Sequence, residues 1–196
     1  GQRQRYTIGL TAYRIGINYT NNLNFINVIE PEMRAFAKEV GKTVFFGVRS
    51  DHEVVYICKT EPENPIITTA TVGTKNPMYC TSLGKAILAY SDEETCGQIM
   101  ARMKFKKHTE RTITDRESLK RELERVRDQG YALDEREVEE HMECVGAPVF
   151  GPDGSVVGAL SVSSLYKPTE DYEQLGRLTA KKAAEVSKLL GFLGKI

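Results

Sequence analysis

The sequence has no excess of positive charge, which argues against direct contact with nucleic acid. Its 27 Lys and Arg residues are balanced by 27 Asp and Glu residues, so the formal net charge is zero. A domain that binds nucleic acid through phosphates usually carries a clear basic surplus. We therefore expect these 196 residues to bind no operator DNA by themselves.

Three other absences narrow the class of protein. No pair among the four cysteines forms a Cys-x-x-Cys motif, which removes support for zinc-ribbon and thioredoxin-type sites. No stretch reaches the roughly 18 apolar residues of a membrane span, and no signal-peptide core follows the polar N-terminus. No Gly-x-Gly-x-x-Gly or Walker loop is present to hold a nucleotide phosphate. We expect a cytosolic protein with free thiols and no cofactor.

Apolar spacing predicts alternating blocks of helices and strands. The predicted helices cover residues 26–40, 81–90, 91–103, 114–129 and 169–192, and the predicted strands cover 43–49, 54–59, 66–72, 131–134, 145–150 and 155–163. Pro31 either kinks the first helix or begins a second one. Because hairpins dominate, we predict an α+β fold with a mainly antiparallel sheet flanked by helices.

Details of three helices are also predicted. Capping boxes at Ser91 and at Thr114 are expected to begin two helices. The last helix is expected to bury six apolar side chains, namely Leu175, Leu178, Val186, Leu189, Leu190 and Leu193.

The segment from Asn76 to Ala89 carries the first candidate site. A proline-containing loop delivers Thr81 and Ser82 to the start of a helix, where free N–H groups and a partial positive charge favour a carboxylate or phosphate. The alternative is that Thr81 only caps the helix.

Two serines on a predicted strand form the second candidate site. Ser161 and Ser163 are two residues apart and share one face of the strand, while Leu160 and Val162 face the other side. Asp134 and Cys144 belong to neighbouring predicted strands, so all four side chains could line one pocket for a polar ligand. The alternative is that the serines are simply solvated.

Two charged runs accompany these candidates. A basic run, formed by Lys104, Lys106, Lys107, His108 and Arg111, is either a solvated connection or a phosphate-binding patch. An acidic run, formed by Glu135, Glu137, Glu139, Glu140 and Glu143, lies beside His141 and Cys144. Such groups could ligate a transition metal, but their spacing matches no recognised metal motif, and we predict no metal site.

Four segments in this order resemble the effector-binding domain of IclR-type bacterial transcriptional regulators. They cover residues 72–89, 130–134, 144–149 and 158–163. The opening residues 5–10 resemble the linker that follows the winged helix-turn-helix of that family, and the similarity extends over nearly the whole chain.

The resemblance implies a GAF-like fold that binds a small carboxylate effector in a homo-oligomeric repressor or activator. It assigns effector binding to Thr81, Ser82, Leu83, Asp134, Cys144, Ser161 and Ser163. Ser82 and Leu83 stand where smaller residues are frequent, which affects the pocket volume. Residues 107–114 resemble the branch that senses keto sugar acids.

The resemblance also implies a domain division. Residues 1–20 would be a linker or first helix and residues 21–196 the effector-binding domain. Contact with DNA would be made through an N-terminal domain absent from this chain.

Two other functions stay open. A cysteine-dependent enzyme would use Cys144 or Cys80 as a nucleophile or redox centre, although no group that orients a Cys–His pair is evident. A dimerisation module without a ligand is the other alternative.

Overall fold

The computed structural model describes residues 9–12, 14–15, 24–65 and 70–194. Its elements are α1 (Asn24–Val40), β1 (Thr43–Ser50), β2 (Glu53–Thr60), β3 (Lys75–Pro77), a 3-10 helix (Met78–Cys80), α2 (Ser82–Tyr90), α3 (Glu93–Arg102), α4 (Arg116–Gln129), β4 (Ala132–Asp134), β5 (Met142–Phe150), β6 (Val156–Leu165) and α5 (Tyr172–Leu189). The six strands form one antiparallel sheet in the order β3-β2-β1-β6-β5-β4. The α+β prediction is confirmed.

Two separate cores lie on the two faces of this sheet. The apolar face is covered by α1 and α5, and its core includes Phe36, Leu160 and Val186. The opposite face, which borders a cavity and is called the cavity face, is covered by α2 and α4. Its core includes Leu83 and Leu123. Since neighbouring residues of a strand point to opposite faces, each central strand contributes to both cores.

Helix α1 is continuous through Pro31. A proline removes one backbone hydrogen bond from a helix interior. Here its exposed ring faces solvent, while Ile29 and Met33 on either side are buried. Apolar burial on the sheet therefore holds together a helix that the proline weakens.

The third strand differs from its prediction. Residues 66–69 of the predicted 66–72 strand lie outside the described residues, and residues 70–72 are not in a strand. The strand that pairs with the other edge of β2, opposite β1, is β3, and it pairs through Glu53–Val55. Gly73 has a φ of +90° and lies in a turn, and its N–H donates to the carbonyl of Tyr56 (2.7 Å). The pairing with β2 therefore begins after this turn, later in the chain than the β-branched run predicts.

Both predicted capping boxes are wrong by one residue. The N-caps are Asp92 and Asp115, whose carboxylates accept the N–H groups of Thr95 and Ser118 at 2.8 Å. Aspartate caps a helix as well as serine or threonine does, so spacing alone does not select between adjacent candidates.

The last helix is shorter than predicted. Helix α5 ends at Leu189, which is 56% exposed, and Leu193 beyond it is 97% exposed, so neither lies on the buried side. Phe192 instead stacks on Phe150 with ring centroids 5.1 Å apart. No helix of the described ranges has the length and apolar character that a bilayer crossing requires.

Candidate functional site

Helix α2 begins at a threonine that uses its hydroxyl for capping. The Oγ1 atom of Thr81 accepts the N–H of Gly84 (3.2 Å) and donates to the carbonyl of Pro77 (2.9 Å). The N–H groups of Ser82 and Leu83 precede the first intrahelical bond and have no partner within the helix. The capping interpretation of Thr81 is therefore correct for its side chain, and the first-turn amides are the part of this segment that a ligand can use.

A glycine of β5 allows the start of α2 to approach the sheet closely. A Cβ atom at Gly146 would lie 2.8 Å from the carbonyl carbon and oxygen of Ser82 and 3.1 Å from the nitrogen of Leu83. These are backbone atoms that have little freedom to move away. The first-turn amides of α2 are thus fixed against the middle of the sheet.

A polar row crosses four adjacent strands. Thr43 of β1 is the register partner of Ser163 of β6, Ser163 is the partner of Cys144 of β5, and Cys144 is the partner of Asp134 of β4. Directly paired residues point to the same face of a sheet, which here is the cavity face. The Sγ atom of Cys144 lies 3.3 Å from the Oγ atom of Ser163.

This row borders a cavity of about 120 Å³. The residues that line the cavity are Phe45, Tyr56, Ala70, Thr74, Asn76, Thr81, Asp134, Val138, Glu139, Met142, Cys144 and Ser163. Four of the seven predicted site residues are among them, namely Thr81, Asp134, Cys144 and Ser163. The other three, Ser82, Leu83 and Ser161, are buried beside the cavity but do not line it.

Asp134 is the most perturbed acid of the site. Its carboxylate accepts the N–H of Glu137 (2.8 Å), and only 5% of the residue is exposed. Burial raises the pKa of Asp134 to about 7, although the charge of Lys85 opposes this shift. Near neutral pH the carboxyl group therefore exists in both forms and can either donate or accept a hydrogen bond.

A buried ion cluster that the sequence analysis missed lies behind Asp134. The ammonium group of Lys85 is 1% exposed and contacts the carboxylates of Glu137 and Glu122. Burial by itself lowers the pKa of Lys85, but Glu137 and Glu122 outweigh it and raise the pKa, so the side chain stays charged. The available signal was a single lysine in the otherwise apolar helix sequence SLGKAILAY.

The aromatic wall of the cavity was also missed. Phe45 and Tyr56 come from β1 and β2, and their ring centroids are 5.0 Å apart. Alternation in the sequence predicted a strand at each of these aromatic residues. Only the pairing of β1 with β6 brings the two rings close to Ser161 and Ser163.

The thiols do not fit the enzyme alternative. Burial, with Asp134 nearby, raises the pKa of Cys144 and of Cys80, so both are held as neutral thiols rather than nucleophilic thiolates. The side chain of His141 is 70% exposed and contacts the carboxylate of Glu139 (3.3 Å) rather than Cys144. Among the described residues, no group of three or more His, Cys, Asp or Glu side chains is arranged to hold a metal ion.

The two charged runs are dispersed in the structure. Carboxylates of the acidic run pair with separate cations, Glu137 with Lys85 and Glu135 with Arg125 (3.6 Å). The five residues of the basic run are exposed, and the backbone of Lys106 is bound to the hydroxyl of Tyr79 at 2.9 Å. The basic run is thus a solvent-exposed connection.

Comparison with known proteins supports the fold described above and the family resemblance of the four sequence segments. The sequence model of the family described as bacterial transcriptional regulator IclR C-terminal matches residues 17–188. The HTH-type transcriptional regulator KdgR of Escherichia coli (strain K12) is 30% identical over 194 residues, which cover 98% of this chain and 74% of that protein.

Two solved structures are similar in fold and sequence. IclR of Thermotoga maritima superposes with a TM-score of 0.86 and 32% identity over 96% of this chain and 77% of that one. The C-terminal domain of E. coli KdgR gives a TM-score of 0.77 and 31% identity over 86% and 99%. These relatives are transcriptional regulators rather than enzymes, which confirms the expectation that this chain is not an enzyme. The chain belongs to the IclR family of bacterial transcriptional regulators, and it is an effector-binding C-terminal domain of that family.

Proposed function

We propose that the cavity binds a small organic acid with keto or hydroxy groups, and that binding controls the DNA affinity of the full-length regulator. The observation that carries this proposal is the convergence of Thr81, Asp134, Cys144 and Ser163 on one cavity from four separate elements. Polar groups that converge in a partly apolar cavity are typical of a binding site.

The electrostatics support an orientation for the acid. The ligand carboxylate lies at the start of α2, where Thr81 lines the cavity and a negative charge gains about 0.3–2 kcal/mol. Keto or hydroxyl oxygens reach Asp134, Cys144 and Ser163. Because the pKa of Asp134 is about 7, its protonated form donates to a ligand oxygen without repelling the carboxylate.

The size of the cavity supports a ligand of few heavy atoms. Pockets for drug-sized molecules are roughly 300–1,000 Å³, whereas this one is about 120 Å³. Three or four charge-assisted hydrogen bonds of about 1.5–3 kcal/mol each, less the cost of immobilising the ligand, correspond to dissociation constants between about 1 μM and 1 mM.

Calorimetry with a panel of small acids tests the proposal. We expect at least one of glyoxylate, pyruvate or lactate to bind with unit stoichiometry and to be recovered unchanged. Turnover of the acid would instead support an enzyme.

The variant Ser163→Ala locates the ligand. It should weaken binding about threefold to tenfold, since the lost hydrogen bond to a keto or hydroxyl oxygen joins neutral groups and contributes about 0.5–1.5 kcal/mol. Ser164→Ala is the matched control, because Ser164 is buried on the same strand but its hydroxyl donates to the carbonyl of Glu143 (3.2 Å). Equal effects of the two variants on affinity would place the ligand elsewhere.

Assembly and DNA control belong to the same proposal. We propose that the protein forms homo-oligomers and that the acid changes their affinity for operator DNA. Sedimentation of the full-length protein, and operator binding with and without the acid, measure the two parts separately. Operator affinity that does not change at saturating acid would contradict the regulatory part.

A further inference from the structure

We infer that Tyr56 and Asn76 form a second recognition point in the cavity, which binds a hydroxyl group at the end of the ligand remote from its carboxylate. The inference rests on the proposed function, because it assigns a preference to the same cavity. It adds two residues that the sequence analysis did not assign to effector binding.

The pair lies at the opposite end of the sheet from the polar row. Tyr56 belongs to β2 and Asn76 to β3, whereas Cys144 and Asp134 belong to β5 and β4. All four residues line the cavity. Tyr56 and three members of the polar row, Ser163, Cys144 and Asp134, line the same cavity, and burial raises the pKa of Tyr56.

The hydrogen bonding of the pair is incomplete. The Nδ2 atom of Asn76 lies 3.1 Å from the Oη atom of Tyr56, and within the described ranges the two side chains make no other hydrogen bond. If the asparagine amide donates, the tyrosine O–H and the amide carbonyl remain free. If the amide is turned over, the tyrosine oxygen and the amide N–H remain free. In both orientations the pair offers a further donor and a further acceptor.

A hydroxyl group matches this combination better than a carboxylate does. A hydroxyl both donates and accepts, while a carboxylate only accepts and would leave the acceptor of the pair unused. The carboxylate is therefore directed to the start of α2 at Thr81, where the free N–H groups of a helix end are donors only. A terminal methyl group would leave both free groups of the pair buried without a partner, which is unfavourable.

The pair is held in place before a ligand arrives. The N–H of Tyr56 donates to the carbonyl of Thr74 (3.0 Å), and its carbonyl accepts the N–H of Gly73 (2.7 Å). Its ring contacts Phe45, and only 8% of the residue is exposed. A side chain fixed in this way loses little conformational entropy when a ligand binds. Most of the free energy of its hydrogen bond therefore contributes to the affinity.

Calorimetry on matched pairs of acids tests the inference. The probes are butyrate with 4-hydroxybutyrate, pentanoate with 5-hydroxypentanoate, and 2-hydroxypentanoate with 2,5-dihydroxypentanoate. We expect the wild-type protein to prefer the terminally hydroxylated member of at least one pair by about fivefold to tenfold.

Two variants assign this preference to the pair. In Tyr56→Phe and in Asn76→Ala the preference should fall to about twofold or less, while the affinity for the methyl-terminated acid stays equal or rises. Tyr90→Phe is the matched control, because the hydroxyl of Tyr90 donates to the carbonyl of Arg127 (3.4 Å) outside the cavity. It should leave the preference unchanged, and thermal unfolding verifies that all three variants are folded.

The outcomes separate this inference from the proposed function. Equal affinities within every pair, or a preference that persists in Tyr56→Phe, overturn the second recognition point and leave the acid-binding proposal standing. Absence of binding for all six acids at millimolar concentration, together with a negative acid panel, contradicts both.

Discussion

The two faces of the sheet are both buried, but by different kinds of side chain. On the apolar face the core that α1 and α5 form with the sheet is mostly aliphatic or aromatic, with Phe36 from α1 and Leu160 from β6. On the cavity face the same strands carry Ser163 and Asp134, and α2 adds the charged Lys85. Burying a polar group costs free energy unless it is hydrogen-bonded, so the cavity face stabilises the fold less per residue than the apolar face does. The difference suggests that one face supplies stability and the other supplies binding.

The first of two equally large expected effects breaks the apolar face alone. Phe36 is 1% exposed against α5 and the sheet, and Phe36→Ala should lower the free energy of unfolding by about 3–5 kcal/mol. Urea unfolding measures the change, and Val28→Ala, at a position that is 38% exposed, should cost about 0.5 kcal/mol. The affinity of the folded variant for its acid should not change. A tenfold change in affinity would mean that the two faces are not independent.

The second prediction concerns the charge within the cavity face. Lys85→Met should cost about 3–5 kcal/mol, because it leaves the buried carboxylate of Glu137 without its cation, whereas Glu122 keeps its ion pair with Arg125 (2.9 Å). The double variant Lys85→Met, Glu137→Gln should recover part of that loss. Lys120→Met removes an exposed ion pair with Glu117 and should cost about 0–0.5 kcal/mol. Equal unfolding free energies for the two lysine variants would show that the buried cluster contributes nothing special.

The third prediction depends on pH. The pKa of Asp134 is about 7 in the folded protein and near 3.8 in the unfolded chain, so between these values the folded state holds a proton that the unfolded state has lost. Stability from this group is therefore present at low pH and is lost as the pH rises from about 4 to 7, by at most about 1.4 kcal/mol per pH unit.

The variant Asp134→Asn isolates this contribution. It cannot titrate, and its amide oxygen can still accept the N–H of Glu137. Relative to the wild type it should gain stability as the pH rises from 4 to 7 and show no further gain above 8. A difference between the two proteins that is constant over this range would show that Asp134 is not titrating as described.

The local pattern of the sequence was enough to predict most of the sheet. Alternation placed Ser161 and Ser163 on the face opposite Leu160 and Val162, and the structure shows this division. Strand β3 escaped prediction, since its three residues carry no alternation and are defined only by their pairing with β2.

The rest of the site depends on contacts between residues far apart in the chain. Thr43 joins the polar row only because β1 pairs with β6, and Lys85 meets Glu137 52 residues later. Single-sequence spacing carries no information on such contacts. The family resemblance assigned both Asp134 and Cys144 to the effector-binding site. Periodicity alone could only place them on neighbouring strands.

The polar row has a consequence for how related regulators could diversify. Each of the strands β1, β6, β5 and β4 contributes one residue to it, namely Thr43, Ser163, Cys144 and Asp134. The backbone ladder that aligns these strands does not depend on the identity of those side chains. A point mutation at Ser163, Cys144 or Asp134, the three members of the row that line the cavity, therefore changes the chemistry offered to a ligand without shifting the others. Successive single substitutions can therefore change the effector specificity while the backbone of the sheet stays the same.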